Sequence, residues 1–544
     1  MKTLVRSFWK KIETSQRPLQ CLLEKNAVTS LRKDEEALEL AVYPLHQLSA
    51  EPEVWSRLPA SLWNSETLKR WGKLSSLPAN EKSEKNLPKS KSLSLDWSAG
   101  HRLRALALNG EMTSSTFEIH TLLRETFSAA LKEKMESHDA PTGTLLSIDQ
   151  LEDSLQRQVL EGIIILAQTC TWKPFSFVKN DTKTAEKIAV KTATKKPSPL
   201  TILVRTTLNP KEFDAITEHA LAVGRANNLV RTLTDLPANV LNPGNYRDLA
   251  RSLALAYGWK TEFLSTRHLE QLGAHAFLAV TRADPATESG ILKLTYRPKK
   301  RSKHLALVGK GLCFDTGGYN IKTGSGMNGM HSDMSGSAVA LATLAYFTET
   351  KASFGVTAYL ALAENFISPT AYKPNEVVTA CDGTTIEVVD TDAEGRMVLA
   401  DTLALARRAE PDLCIDFATL TGAAIRALDT RIGAVFSNQP TLAQSAIECG
   451  KASGERVWTF PLEPDYRTQL KSDIADLLQC THGNNSDHIY AATFLAHFAG
   501  EETPWLHLDL TPAKNKGGLG LISSTTTGFG VMWAVATAKL ILSR

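Results

Sequence analysis

From about residue 230 onward, short apolar runs alternate with helical patterns, and that alternation leaves few architectures open. The runs "HLALVG" (304–309), "GVTAYLALA" (355–363), "TTIEVV" (384–389) and "DLCIDFA" (412–418) are separated by stretches such as "GRMVLADTLALARRAE", where apolar residues return at helical spacing. Strands linked by helices form a sheet that is at least partly parallel, with helices on both faces. In such sheets ligands bind beyond the carboxyl ends of the strands. Upstream, a long helical pattern from about Pro210 to Asp235 ends in the turn signals "PAN" and "NPG". The expected fold class is α/β with two domains. A smaller mixed α/β N-terminal domain takes residues 1–205, a connecting helix takes 206–232, and a larger domain with a mostly parallel sheet flanked by helices takes 233–544.

Bulk properties narrow the partners. The net charge of +3 arises from 61 basic and 58 acidic side chains, so no global field calls for nucleic acid or an anionic membrane. Seven cysteines are scattered without a C-x-x-C pair, which fits a reducing, cytoplasmic setting better than a disulfide framework. The aliphatic run "GIIILA" is far short of the roughly 20 residues that a membrane helix needs. The N-terminus "MKTLVRSFWKKIETS" lacks a signal-peptide apolar core and reads as the start of a helix. Residues 78–92 and 179–199 read as loops or linkers, the second carrying lysines at 179, 183, 187, 191 and 195.

The chemistry concentrates in two stretches. "VVDTDAEGRMVLAD" (388–401) places Asp390, Asp392, Glu394 and Arg396 at every second position. Extended backbone would turn Asp392, Glu394 and Arg396 to one side, and so many carboxylates call for something positive among them. Directly after "HLALVG", a glycine-rich stretch carries Lys310, Asp315, Lys322 and Asp333. By the sheet rule, one crevice collects Lys310, Asp315, Asp333, Asp392 and Glu394. Its four carboxylates cannot all stay ionised without cations, and two divalent ions about 3.5–4 Å apart are a recurring answer in hydrolases of peptides and phosphates. A lysine amine completes such a site only when deprotonated. Composition alone leaves a phosphatase or nuclease open. The phosphate-loop spacing, G-x-S-x-G and H-E-x-x-H are all absent. His331, His482 and His488 read as loop histidines, and Cys313 as a buried thiol.

"VGKGLCFDTGGYNIK" and "DTDAEGRM" resemble the metal-binding segment and the signature of the leucyl aminopeptidase (cytosol aminopeptidase, M17) family, in order and in spacing. The resemblance covers roughly residues 210–540. It implies a metal-dependent aminopeptidase that releases N-terminal amino acids, leucine-like ones preferred, from peptides by a water activated between two Zn²⁺ or Mn²⁺ ions. It implies metal ligands at Lys310, Asp315, Asp333, Asp392 and Glu394, and catalytic roles for Lys322 and Arg396. Met330, Thr419, Leu420 and Gly422 fall at its substrate-binding positions. Arg396, free on the carboxylate side, would hold a bicarbonate that serves as general base. Peptide substrates, a homo-hexamer and no membrane association follow from the same resemblance. Asp390, Tyr319, Asn320 and Asn328 depart from the family pattern and bear on loop geometry and substrate preference. The alternative is a catalytically silent or moonlighting structural or DNA-binding protein on the same fold, with the lysine run of 179–196 as its contact surface.

Overall fold

Two sheets rich in parallel strands carry the architecture. The computed structural model describes residues 19–23, 38–44, 90–97, 101–108, 115–136, 144–149, 151–174 and 200–543, apart from 285, 287, 301, 302 and 484. In the first sheet, β1 (Leu19–Leu23), β2 (Leu38–Pro44), β3 (Ser90–Trp97), β4 (His101–Leu108), β5 (Thr144–Ser147) and β6 (Leu200–Arg205) run in the order β1-β6-β5-β2-β4-β3. Only β3 is antiparallel to its neighbour. Helices α1 (Thr116–Glu136) and α2 (Asp153–Thr169) belong to this half, and the "GIIILA" run is a stretch of α2 buried on all sides. The expected N-terminal helix and the lysine run lie outside the described residues. Residues 90–92, expected as the end of a loop, open β3 instead.

Helix α3 (Pro210–Thr234) follows as its signals predict: Asn209 Oδ1 accepts from the Glu212 amide at 3.0 Å, and Pro210 holds the first position. It packs on α2 and on α4 (Ser335–Glu349). Its buried Arg231 donates to Thr169 O at 3.1 Å and to Ser524 Oγ at 2.9 Å, tying the end of α2 to a loop near the C-terminus.

The remaining strands are β7 (Lys260–Ser265), β8 (Gly290–Tyr296), β9 (His304–Asp315), β10 (Gly355–Asn365), β11 (Val377–Thr379), β12 (Thr385–Glu387), β13 (Leu413–Ala418), β14 (Gly433–Ser437), β15 (Val457–Thr459), β16 (Leu477–Leu478) and β17 (Trp505–Asp509). Eight of them form the second sheet, ordered β15-β14-β17-β13-β9-β10-β8-β7. Its four central strands, β17, β13, β9 and β10, are parallel, while antiparallel pairs appear toward both edges. The "TTIEVV" run is not part of this sheet. Only Thr385–Glu387 is extended, in a small sheet with β11 and β16.

Successive residues of β9 serve opposite layers. Leu305 and Leu307 pack into a core with α4, whereas Ala306, Val308 and Leu312 pack into a second core with α5 (Glu394–Arg407). The helix α4 comes so close that a Cβ on Gly336 would lie 2.0 Å from Phe417 O. Helices α6 (Asp487–Ala499) and α7 (Val531–Leu542) complete the layers used below. Among the described residues, no helix is long and apolar enough to cross a membrane.

Candidate metal centre

Strand β9 extends well past its apolar start, so Lys310 and Asp315 stand on the strand rather than in the glycine-rich loop. Register explains how both reach one site. Leu312 pairs with Ala363 and Phe314 with Glu364, which leaves Cys313 as an extra residue in β9. Such a bulge reverses the alternation of faces beyond it. Cys313 itself is a buried free thiol, as expected.

The 388–401 stretch is not extended through its charged part. Asp392 lies in a turn, and α5 starts at Glu394, so Asp392, Glu394 and Arg396 fan out to three different partners. Lys322 Nζ lies 2.5 Å from Asp392 Oδ1 and 2.7 Å from Asp315 Oδ2. Lys310 Nζ lies 3.0 Å from Glu394 Oε1 and 2.8 Å from Asp333 Oδ2, and donates to Thr419 O at 3.1 Å. Arg396 faces Asp487, with Nη2 at 2.7 and 2.8 Å from Oδ1 and Oδ2. Arg396 is therefore not free as expected, because Asp487 and Gln479 already meet its guanidinium.

The expected crevice does form. Oxygen atoms of Asp315, Asp392 and Glu394 lie within 4.8 Å of one another, and Asp333 joins them through Lys310. Burial and the charge of Asp315 push the carboxyl of Glu394 up to about 8 and that of Asp392 up to about 6. Burial also raises Asp333. For Lys310, burial acts to lower the pKa, but the charges of Asp333, Glu394 and Asp315 outweigh it and hold the amine protonated. Lys322 follows the same balance, with Asp315 as its main partner. Glu394 Oε2 is buried without a hydrogen-bond donor. A buried carboxylate oxygen left bare in a cluster of acids matches the hard oxygen donors that divalent cations take.

Several supports escaped the sequence reading. Asn365, at the end of β10, donates to Asp315 Oδ1 at 2.9 Å and to Thr391 O at 3.1 Å. Gln479 accepts from the amides of Val389 and Asp390 and donates to Ala393 O, pinning the backbone before Glu394. Asp509, at the end of β17, accepts from the Leu420 and Thr421 amides at 3.0 and 3.1 Å. Asn365 and Asp509 stand at carboxyl ends of central strands, a position that could have flagged them. Asp487 lay in the polar "GNNSD" loop, and Gln479 carries no local signal.

Of the expected pocket residues, Thr419 is drawn in by its Oγ1, 2.7 Å from Asp333 Oδ1. Leu420 follows it, Gly422 opens a short helix, and Met330 lies half-buried in a 3-10 turn three residues before Asp333. His331 is half-buried and outside the carboxylate cluster. His488 is buried edge-on against Phe460, an aromatic contact rather than a loop position.

Comparison with known proteins bears on this arrangement. The family model for the catalytic domain of the cytosol aminopeptidase family matches residues 228–535. A probable cytosol aminopeptidase of Solibacter usitatus is 39% identical over 333 residues, which is 58% of this chain and 68% of that relative. One from Cyanothece sp. is 35% identical over 433 residues, or 79% of this chain and 84% of the relative. Among solved structures, a mutant tomato leucine aminopeptidase superimposes with a TM-score of 0.74 at 27% identity, over 97% of this chain and 99% of that one. The bottromycin maturation enzyme BotP in complex with Mn superimposes with a TM-score of 0.72 at 27% identity, over 94% of this chain and all of that one.

Proposed function

The chain belongs to the cytosol aminopeptidase family of metallo-exopeptidases, and from that premise we propose that it releases N-terminal amino acids, leucine-like ones by preference, from peptides. Two divalent ions, Zn²⁺ or Mn²⁺, would be held by Asp315, Asp333, Asp392 and Glu394, and by Lys310 once an ion has displaced the proton from its amine. The carrying observation is the converging carboxylates with the bare, buried Glu394 Oε2, a donor set that fits hard cations. When bound, the ions supply Lewis acidity toward water and the scissile carbonyl.

The chain's own groups do the rest. Lys322, whose ammonium already bridges Asp315 and Asp392, donates to the carbonyl oxygen as negative charge builds there. A preorganised donor of that kind contributes several kcal/mol to a transition state. Met330, Thr419, Leu420 and Gly422 line the pocket for the first side chain. Asp509 fixes the backbone of that wall through Leu420 and Thr421. The proposal includes a cytoplasmic location, which the relatives' names support, and a homo-hexamer, which light scattering tests.

The deciding experiment measures release of free amino acids from leucyl and other peptides with Mn²⁺ or Zn²⁺, with chelator, and with Glu394→Ala. Metal-dependent release that the variant loses supports the reading. No release across metals and peptides, from a folded protein with metal bound, overturns it.

A further inference from the structure

A cavity of about 160 Å³ lies at the end of the second sheet away from the candidate metal ligands, lined by residues of β8, β9 and β10, by Arg297, and by Ala409 just past the end of α5. His304 opens β9 six positions before Lys310, and a strand rises about 3.3 Å per residue, so roughly 20 Å separates the two. Across the antiparallel ladder of β8 and β10, Lys293 pairs with Tyr359 and Thr295 with Thr357. Cross-strand partners share a face and every second residue returns to it, so these four side chains turn to the same side. Farther along that face, Ile291, Val308 and Ala361 pack with α5 in an apolar core. Beyond the end of the helix the face turns polar.

The polar groups there are built into the fold. His304 and Thr357 are more than nine-tenths buried. His304 Nε2 lies 2.9 Å from Thr357 Oγ1, which lies 3.2 Å from Thr295 Oγ1. Tyr359 is 2% exposed, and its hydroxyl has no hydrogen-bond partner. Burial pushes its pKa upward, so it remains an O–H donor, and a buried donor without an acceptor is costly. Lys293 and Arg297 bring two positive charges, and no carboxylate is among the lining residues. The Lys293 ammonium lies 5.5 Å from the centre of the Tyr359 ring, and half-exposed Glu262 reaches it only at 3.6 Å. The connection that leaves β8, "RPKKRSK" (297–303), adds five basic side chains and no acidic one, a field that gathers anions.

Water would satisfy the Tyr359 hydroxyl but leave the two cations uncompensated, whereas a dianion does both. A phosphate group carries a charge of about −1.5 to −2 at pH 7 and offers acceptor oxygens in several directions. The volume suits a compact ion, since drug-sized ligands occupy pockets of about 300 Å³ or more. We propose that this cavity is a binding site for a phosphate group, free or on a small phosphomonoester, held by Lys293, Arg297 and the hydroxyls of Tyr359 and Thr295. None of these residues takes part in the proposed peptide hydrolysis, so the site stands whether or not that reading holds.

The test follows binding of inorganic phosphate and of glycerol phosphate to the metal-loaded protein by calorimetry, with ionic strength held constant by sodium chloride. The wild type is compared with Tyr359→Phe, with the double variant Lys293→Gln/Arg297→Gln, and with Glu394→Ala. Phosphate held at the metal centre is the part of the binding that Glu394→Ala removes, and the proposed site is the part that it keeps. Tyr359→Phe keeps the ring and loses a hydroxyl that has no partner, so without phosphate its melting temperature is expected to match wild type. Its affinity at the proposed site is expected to fall about 10- to 100-fold, the effect of one hydrogen bond to a charged group. The double variant is expected to lose that binding. The tighter of the two ligands identifies the phosphate as free or esterified. Wild-type affinity in either Tyr359→Phe or the double variant, complete loss of binding in Glu394→Ala, or no binding of either ligand to the wild type overturns the proposal.

Discussion

Lys310 and Asp315 sit five positions apart on one strand, an odd interval that ought to turn them to opposite faces, yet both contribute to one cluster of charges. The unpaired Cys313 makes up the difference. Deleting Cys313 removes the extra residue and leaves Lys310 and Asp315 four positions apart, an even interval that keeps both on one face of a regular strand. The expected outcome is a folded protein that still binds Mn²⁺, measured by calorimetry. Cys313→Ala keeps the residue count, costs about 1 to 2 kcal/mol of stability and leaves binding intact. Loss of binding by a folded deletion variant, with Cys313→Ala unaffected, would remove the bulge from the explanation.

Gly395 sits where the Lys310 side chain passes the start of α5. A Cβ there would lie 2.6 Å from Lys310 Cε and 2.7 Å from Nζ, so Gly395→Ala drives the lysine end away from Asp333 and Glu394. Because the atoms it strikes are the flexible end of a side chain, the fold survives. Metal affinity is expected to fall roughly 10- to 100-fold, the usual effect of disturbing the groups that orient a metal site, with a melting temperature within a few degrees of wild type. Unchanged affinity would mean that Lys310 has room elsewhere.

How much of this was legible in the sequence depended on whether a residue acts through its neighbours in the chain. The strands that start at His304 and Gly355, the strand one residue inside "DLCIDFA", and the helix from Pro210 follow from local patterns, and the structure places them there. The carboxylate cluster followed from the rule that sites gather at strand ends. What was missed is long-range. No spacing announces that Asp487 meets Arg396 across 91 positions, or that Gln479 holds the backbone of residues 389–393. The bulge was hidden for another reason: around Cys313 the strand is apolar and buried on both faces, so an extra residue leaves no break in the pattern.

Asp509 supports the proposed pocket wall without belonging to it. Besides the two amides, its Oδ2 accepts from Thr421 Oγ1 at 2.8 Å. Asp509→Ala leaves the Leu420 and Thr421 amides without acceptors and loosens the wall. The Michaelis constant for leucyl peptides is expected to rise about tenfold, roughly 1.4 kcal/mol, with a smaller change in turnover, while Asp509→Asn retains one acceptor and falls between. A loss confined to turnover, with unchanged KM, would place Asp509 outside substrate binding.

Glu455 gives a pH dependence that is independent of the metal site. It is buried, and its Oε2 accepts from the Gly530 and Trp533 amides at 2.9 Å each, satisfying donors at the start of α7. Burial raises its carboxyl from the ordinary 4.5 to about 7, even though those amide bonds pull the other way. Below pH 4.5 the group is protonated in both folded and unfolded chains and has no differential effect. Between 4.5 and about 7 the folded chain binds a proton that the unfolded chain has released, so stability falls as pH rises through that window and levels off above it. The drop is on the order of 3 kcal/mol. Glu455→Gln keeps an oxygen acceptor for the two amides and carries no charge, so this contribution vanishes. In urea unfolding, the variant is expected to match wild type near pH 4.5 and to exceed it at pH 8, where the wild type must bury a carboxylate. Parallel pH profiles for the two proteins would show that Glu455 stays ionised in the folded chain throughout. The amide bonds would then outweigh the cost of burial.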